Sequence, residues 1–333
     1  MHHSLFKLVL CAVLIPGIGW TAGPQDYTPG LRGPVIGYVL DTTKQAIRPV
    51  NGIPGSALLG ESLAFGFPIV SAAFAPHGDF ALALSGRGGN SLYIVRNLSA
   101  AVAVDLIEGD LISADHVILN SNGSVGALFD GETRQIQLLR GLPAAPTVEL
   151  PIDLSSVPGT ITALAIDGKG ANVLIAAASD HGAVYLASAD KPIRAIGDFG
   201  SPSALALSRN DQDVVVADTA TNQITIVRNF AGTPEAEWIA GERDGVSRPV
   251  GLAVTPDGRS LYIANASTRT LDVWSLEAQA IDKSLPLDAE PTRLSSFLSS
   301  SMFVLNDVGN HPLLLLEAGR IPAVYFVPAG GEQ

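Results

Sequence analysis

The chain has 333 residues, of which 47% are hydrophobic, 16% are charged and 34 are glycine. So few charges and so many glycines favour short strands joined by tight turns. They argue against a fold of long helices, which need Ala, Glu, Lys and Leu in bulk. The formal net charge of −12 repels phosphate backbones and argues against general nucleic-acid binding.

The first residues have the layout of an export signal. Lys7 precedes the apolar run 8–15, and small residues follow at 21–23. This order is typical of a signal peptide, and the run is short for a membrane-spanning helix. We predict a signal peptide at 1–23 and a secreted or periplasmic mature chain without a membrane span; an uncleaved anchor is the alternative. Cys11 is the only cysteine, so the mature chain would have no disulfide.

A hairpin pattern recurs along the sequence. VVVADTATNQITIV, from Val214, and LYIANASTRTLDVW, from Leu261, each hold an apolar strand, an Asp or Asn, a polar turn and an alternating strand. Five further segments fit this frame. We call the residue at the Asp/Asn position of each copy its marker. The seven markers are Asp41, Ser85, Asp130, Ala177, Asp218, Asn265 and Asn306, at spacings of 44, 45, 47, 41, 47 and 41 residues.

This even spacing predicts the fold class. A period of about 40–50 residues with four short strands per unit is typical of propeller blades. From the second copy onward, a strand of small residues and a tight turn precede the hairpin, as in 250–255 followed by Pro256-Asp257-Gly258. Small side chains suit the crowded innermost strand. We predict an all-β, seven-bladed β-propeller with four-stranded antiparallel blades, forming a single domain over 24–333.

The first copy has no such inner strand, because residues 26–34 are rich in Pro and Gly. We predict that the C-terminal strand 323–327 supplies this position by pairing with 35–40, since a missing inner strand would open the channel wall. The alternative is an ordinary outer strand of the seventh blade beside 313–316.

Two copies resemble known repeat families. PVGLAVTPDGRSLYIANASTRTLDVW, from Pro249, resembles a YVTN-type blade, and VVVADTATNQITIV resembles the NHL-type repeat. The chain is therefore similar to the lactonase-like seven-bladed propeller superfamily. The resemblance implies a propeller fold, and YVTN-like propellers include phosphogluconolactonase relatives, which work in the cytoplasm.

The markers are the candidate site residues. The loops that follow them open on one face of a propeller, and Asp218, Asn265, Asn306 and Asp41 become neighbours when the chain closes into a ring. Such carboxylates and amides suit a small polar ligand or a hard cation, with calcium as the one cofactor considered. The alternative is that each side chain caps its own loop in an Asx-turn and the mouth holds only water.

The sequence contains no pattern typical of catalysis. No G-x-S-x-G motif occurs, and the histidines beyond the signal lie on four different blades without metal-ligand spacing. We therefore predict no catalytic residues and a non-enzymatic binding or scaffolding module, with a protein or small-molecule partner. The alternative function is a lactonase-like or other hydrolytic enzyme with its site at the channel mouth.

Overall fold

The computed structural model describes residues 33–86, 91–99, 101–189, 191–297, 301–309, 311–319 and 321–328. The predicted signal peptide lies outside these residues, so it stays a prediction. The described residues form seven antiparallel sheets and a single 3₁₀ turn, Glu242–Asp244. No helix in this part of the chain is long and apolar enough to cross a membrane.

Each sheet forms one blade, and its strands lie side by side in chain order. The first blade contains β1 (Val35–Asp41), β2 (Ala46–Ile53) and β3 (Ser56–Leu59). The second contains β4 (Ile69–Phe74), β5 (Phe80–Ser85), β6 (Ser91–Arg96) and β7 (Ala103–Leu106). The third contains β8 (His116–Leu119), β9 (Gly126–Asp130), β10 (Gln135–Arg140) and a divided outer strand, β11 (Thr147–Val148) and β12 (Ile152–Asp153).

The remaining four blades are regular in strand order. The fourth contains β13 (Thr160–Ile166), β14 (Val173–Ala178), β15 (Gly182–Ser188) and β16 (Lys191–Phe199). The fifth contains β17 (Pro202–Leu207), β18 (Val214–Asp218), β19 (Gln223–Arg228) and β20 (Glu235–Ala240). The sixth contains β21 (Pro249–Val254), β22 (Ser260–Asn265), β23 (Thr270–Ser275) and β24 (Ala280–Pro286). The seventh contains β25 (Ser295–Ser296), β26 (Met302–Val304), β27 (Leu313–Glu317) and β28 (Ala323–Val327). The predicted seven-bladed β-propeller is confirmed.

The recurring hairpins share one turn geometry. In four blades the marker pairs with the residue five positions later, as Asp218 does with Gln223. The fourth residue of each of these turns has a positive φ, at Gln45, Arg134, Asn222 and Arg269. A turn residue in the left-handed region lets a short loop reverse the chain without splaying the strands. Local sequence therefore sets the hairpin register, and this register places the marker at the same end of each of these blades.

Seven apolar clusters form the core, and each lies between two consecutive blades. Leu82 and Leu128, for example, join the second and third blades. Val39 and Leu313 join the first and seventh blades, so the ring is closed by packing. Burying each such side chain contributes about 1.5–3 kcal/mol, which is the main stabilisation of the ring.

The first blade has three strands among the described residues. They correspond to the second, third and fourth strands of the other blades, because Asp41 ends β1 as Asn265 ends β22. On the inner edge of β1, Asp41 forms a single parallel bridge with Val308. Nearby, the ring of Phe297 lies where a side chain on Gly37 would be, within 2.1 Å of an added Cβ atom. An aromatic ring from the seventh blade therefore packs against the backbone of the first.

The predicted role of the C-terminal strand is wrong. β28 pairs with β27 from Leu313↔Val327 to Glu317↔Ala323, so it is the outer strand of the seventh blade. The pairing is local, across a connection of only five residues. Closing a short loop costs less chain entropy than bringing distant segments together. Because the apolar cluster already joins the seventh blade to the first, closure does not require β28 to change sheets.

Candidate functional site

Asp41 is buried and neutralised by an ion pair. It is 3% exposed, and its Oδ2 lies 3.0 Å from Nη1 of Arg48, which is also buried. The backbone N–H of Lys44 donates to Oδ1 at 2.9 Å, and Arg48 Nε donates to the carbonyl of Gly60. Removing one partner of such a buried pair typically costs about 3–5 kcal/mol. Asp41 therefore anchors the first mouth loop to the strand behind it.

Asp218 connects two loops. Its carboxylate accepts backbone N–H groups from Gly200 (2.6 Å) and Ser201 (2.9 Å), which lie in the connection between the fourth and fifth blades. It also accepts from Ala220 (2.9 Å) and Thr221 (3.3 Å) in its own hairpin. Three of these donors lie on Oδ1 and one, from Gly200, lies on Oδ2, so Asp218 links the two loops.

Asn265 is fully buried and makes polar contacts on both sides. Its Oδ1 accepts the backbone N–H of Ser247 at 3.0 Å. Its Nδ2 donates to Oδ2 of Asp272 at 2.7 Å. Asp272 also accepts the hydroxyl hydrogen of Ser284. Burial raises the pKa of Asp272, although these hydrogen bonds partly oppose the shift.

The Asn265–Asp272 pair was missed by sequence reasoning. Asp272 stands between Leu271 and Val273 in β23, and all three residues are buried. An acidic residue in the middle of an apolar strand was the available signal, because such a residue is rarely buried without a partner. The pair builds the loop base of the sixth blade from inside the core.

Asn306 holds the loop of the seventh blade. Its Nδ2 donates to the carbonyl of Pro312 at 2.9 Å, and its Oδ1 accepts the backbone N–H of Leu314 at 2.7 Å. Asp130 holds the loop of the third blade by accepting hydrogen bonds from the backbone N–H groups of Glu132 and Thr133 and from the Thr133 hydroxyl. Its burial opposes ionisation, but hydrogen bonds from Thr133 and Glu132 outweigh that effect and lower its pKa. These five polar markers therefore bond within their own hairpins, and Asp218 and Asn265 also bond to the preceding connection between blades.

The structure places the four predicted residues at the same end of the ring, each at the base of a mouth loop. The Asp41–Val308 bridge brings the loops of the first and seventh blades together. All four side chains are buried, between 0% and 5% exposed. Within the described ranges, no group of three or more His, Cys, Asp or Glu side chains is placed to hold a metal ion. Ligand binding by these residues, and by calcium in particular, stays a prediction.

Two surface clefts are lined by other residues. One, of about 740 Å³, runs between β3 and β28 on the outer side of the first and seventh blades. A second, of about 460 Å³, lies beside the connection from the second to the third blade, at Ile107 and Leu111. None of the four predicted residues lines either cleft. The four predicted residues therefore belong to neither cleft, although the second cleft lies at the mouth end, beside Ser91 at the start of β6.

No protein-family model matches the sequence, and no curated protein matches it. Solved structures similar to the chain include a functionally unknown protein from Desulfotomaculum acetoxidans DSM 771, with 15% identity, a TM-score of 0.62 and coverage of 89% of this chain and 100% of that one. A protein from Lactobacillus plantarum has 12% identity, a TM-score of 0.61 and coverage of 89% and 96%. Kuenenia stuttgartiensis hydrazine synthase has 11% identity, a TM-score of 0.56 and coverage of 91% and 99%. At these identities the likenesses support the seven-bladed propeller fold alone, and the YVTN/NHL resemblance stays a prediction.

Proposed function

We propose that the protein is an exported binding or scaffolding propeller whose mouth loops present a fixed surface to a protein or small-molecule partner. The observation that carries the proposal is the use of the markers as loop anchors. Buried Asp and Asn side chains hold the bases of these loops, while the loop tips at Glu132, Thr221 and Thr268 are exposed. Loops held in place in the free protein lose little entropy on binding, which favours affinity.

Export is the second part of the proposal, and it rests on the order of basic, apolar and small residues at 1–23. Mass spectrometry of the protein recovered from its native cells tests it. We expect a mature form that begins near residue 24 in the medium or the periplasm. A full-length chain retained with the cytoplasmic fraction would contradict export while leaving the binding proposal open.

Site-specific photo-crosslinking tests the binding surface. A photoreactive amino acid is placed at Glu132, Thr221 or Thr268 on the mouth. The matched control positions are Ser121, Asn210 and Pro256, which are exposed in tight turns at the opposite end of the same three blades. After illumination in the native compartment, intact mass measurement should show an adduct of defined mass at mouth positions and not at the control positions. Equal labelling at both ends, or none at the mouth, would refute the proposal.

The hydrolytic alternative is tested on the same protein. The wild type and the Asp218→Asn variant are assayed for lactone hydrolysis, and their melting temperatures are compared. Hydrolysis that disappears in a variant that is still folded would replace the binding proposal with an enzymatic one. Under the binding proposal we expect no turnover by either protein.

A further inference from the structure

The outer strand of the seventh blade differs from most outer strands of the ring. β28 has the sequence AVYFV, and β3 of the first blade has the sequence SALL. Neither strand carries a charged side chain. The outer strands β7, β16, β20 and β24 each carry at least one charged side chain. Charged side chains on an edge strand prevent it from pairing with other chains. β28 and β3 lack this protection.

The cleft between these two strands has an uncharged lining. It is lined by β3 and β28 together with Gly33, Asn51, Gly52, Gly55 and Pro328, none of which carries a charge. Leu58 and Phe326 are 56% and 58% exposed beside it. An uncharged cleft beside two exposed apolar side chains, in a chain of net charge −12, is typical of an interaction site. Among the described residues β28 pairs with β27 alone, so its other edge offers backbone groups that can pair with another strand.

The sequence of β28 suits pairing with itself. In an antiparallel pair centred on Tyr325, Tyr325 of one copy lies opposite Tyr325 of the second copy. Val324 then lies opposite the second copy's Phe326, and Ala323 opposite its Val327. Aromatic pairs and aromatic–β-branched pairs are the cross-strand combinations that stabilise antiparallel sheets. The same arrangement of β24, by contrast, would place Lys283 opposite Lys283.

We propose that two copies of this chain associate through β28, joined edge to edge in an antiparallel pair about a twofold axis at Tyr325. Twofold dimers are the commonest protein oligomers, and their interfaces use one surface twice. The exposed side chain of Phe326 gains a cross-strand neighbour, Val324 of the second copy, in this arrangement. The interface lies on the outer side of the first and seventh blades, so the mouth loops stay free and the inference is independent of the proposed function.

Sedimentation equilibrium of the purified protein, from about 1 to 100 µM, tests the proposal. We expect a monomer–dimer equilibrium in the wild type. Phe326→Lys should raise the dissociation constant at least tenfold, because it places a charge on the pairing edge. Trp238→Lys is the matched control, since Trp238 is 56% exposed on the charged outer strand β20, and it should not change the dissociation constant. A monomeric wild type, or equal effects of both variants, would overturn the proposal.

Disulfide trapping tests the register and does not depend on the stability of the lysine variants. Cys11 is replaced by serine, and cysteine is introduced by Tyr325→Cys or, as the control, by Val324→Cys. Directly opposed residues in an antiparallel pair have Cα atoms about 4.5–5.5 Å apart, which a disulfide can bridge. Under mild oxidation Tyr325→Cys should form covalent dimers, whereas Val324→Cys, which lies opposite residue 326, should form few. Equal cross-linking of the two variants, or none with Tyr325→Cys, would refute the twofold register.

Discussion

The interface between the fourth and fifth blades and that between the seventh and first are built differently. Between the fourth and fifth, the hydroxyl of Thr162 donates to the carbonyl of Pro202 on the next inner strand, at 2.5 Å. On the outer side, Arg194 donates to the carbonyl of Phe230 at 2.7 Å. An apolar cluster around Leu174 and Val214 fills the space between them.

The interface of the seventh and first blades joins the two ends of the chain. It contains an apolar cluster, the bridge from Asp41 to Val308, and the ring of Phe297 against Gly37. The difference shows that side-chain packing can join the first and last blades where, among the described residues, no strand passes from one of them to the other. Consecutive blades are held close by the chain, whereas the two ends must be held by contacts alone.

The largest effect is expected from removing a buried phenylalanine, and each of the two interfaces contains one. Phe230→Ala should destabilise the protein by about 3–5 kcal/mol, because Phe230 is fully buried and its surroundings cannot collapse into the space. Phe297→Ala should cost about 3 kcal/mol, the lower end of this range. The first blade, with three described strands, can move inward and fill part of the space. Denaturant unfolding of both variants measures the difference. A larger loss for Phe297 would show that the closing interface limits stability.

The close approach at Gly37 sharpens the comparison. Gly37→Ala should destabilise by about 1–3 kcal/mol, because the new methyl group meets the Phe297 ring. Combining it with Phe297→Leu should recover at least about 1 kcal/mol, since the smaller side chain makes room. Gly309→Ala is the control; nothing lies within 4 Å of an added Cβ there, and its effect should stay within about 0.5 kcal/mol. Additive effects in the double mutant would disprove the contact.

The hydrogen bonds of Arg194 between the fourth and fifth blades should contribute less to stability. Arg194→Met keeps much of the apolar stem and removes the hydrogen bonds to Phe230 and Gly232, so we expect a loss of about 1 kcal/mol. Arg259→Met, at an exposed turn, should change the free energy of unfolding by less than about 0.5 kcal/mol. Equal changes in the free energy of unfolding for the two variants would show that the Arg194 hydrogen bonds do not contribute to stability.

A further effect, of similar size, depends on pH and concerns a polar group inside one blade. Burial raises the pKa of Asp272, so the protonated form is favoured in the folded state. Its contribution to stability is therefore fully present below the unfolded pKa of about 3.9 and is lost as pH rises through the folded pKa. The effect of Asp272→Asn on stability should accordingly be more favourable at pH 7 than near pH 3.5, by on the order of 1 kcal/mol, on top of a pH-independent loss because one of the donors from Asn265 and Ser284 would face the new amide NH2.

Asp257 should change stability with pH in the opposite direction. Hydrogen bonds from the Thr255 hydroxyl and the Arg259 N–H lower the pKa of this exposed carboxyl. Its contribution is therefore present above the unfolded pKa and lost as pH falls through the folded pKa. For each of Asp257→Asn and Asp272→Asn, the unfolding free energy is compared with that of the wild type between pH 3.5 and 8. The two differences should change with pH in opposite directions. The same sign in both would contradict the proposed causes.

The sequence by itself determined the blade count and the hairpins. Marker residues at near-constant spacing and turn residues such as Pro256 and Gly258 act locally, so the pattern of each blade can be interpreted without knowledge of the others. It also located the mouth loops, since Asp41, Asp218, Asn265 and Asn306 do lie at their bases. The direction in which these side chains point was left open, because a ligand and a loop backbone offer similar hydrogen-bonding groups.

Tertiary structure alone decided how the ring closes. β28 pairs with β27, and the inner position of the first blade is not filled by the C-terminal strand. An apolar strand such as AVYFV can pair with either β27 or β1. The two pairings differ in the entropy cost of closing the loop and in the packing between the ends of the chain. The partnership of Asn265 with Asp272 also depends on the register of adjacent strands. Such balances depend on contacts between distant residues, which periodicity and local turn chemistry do not encode.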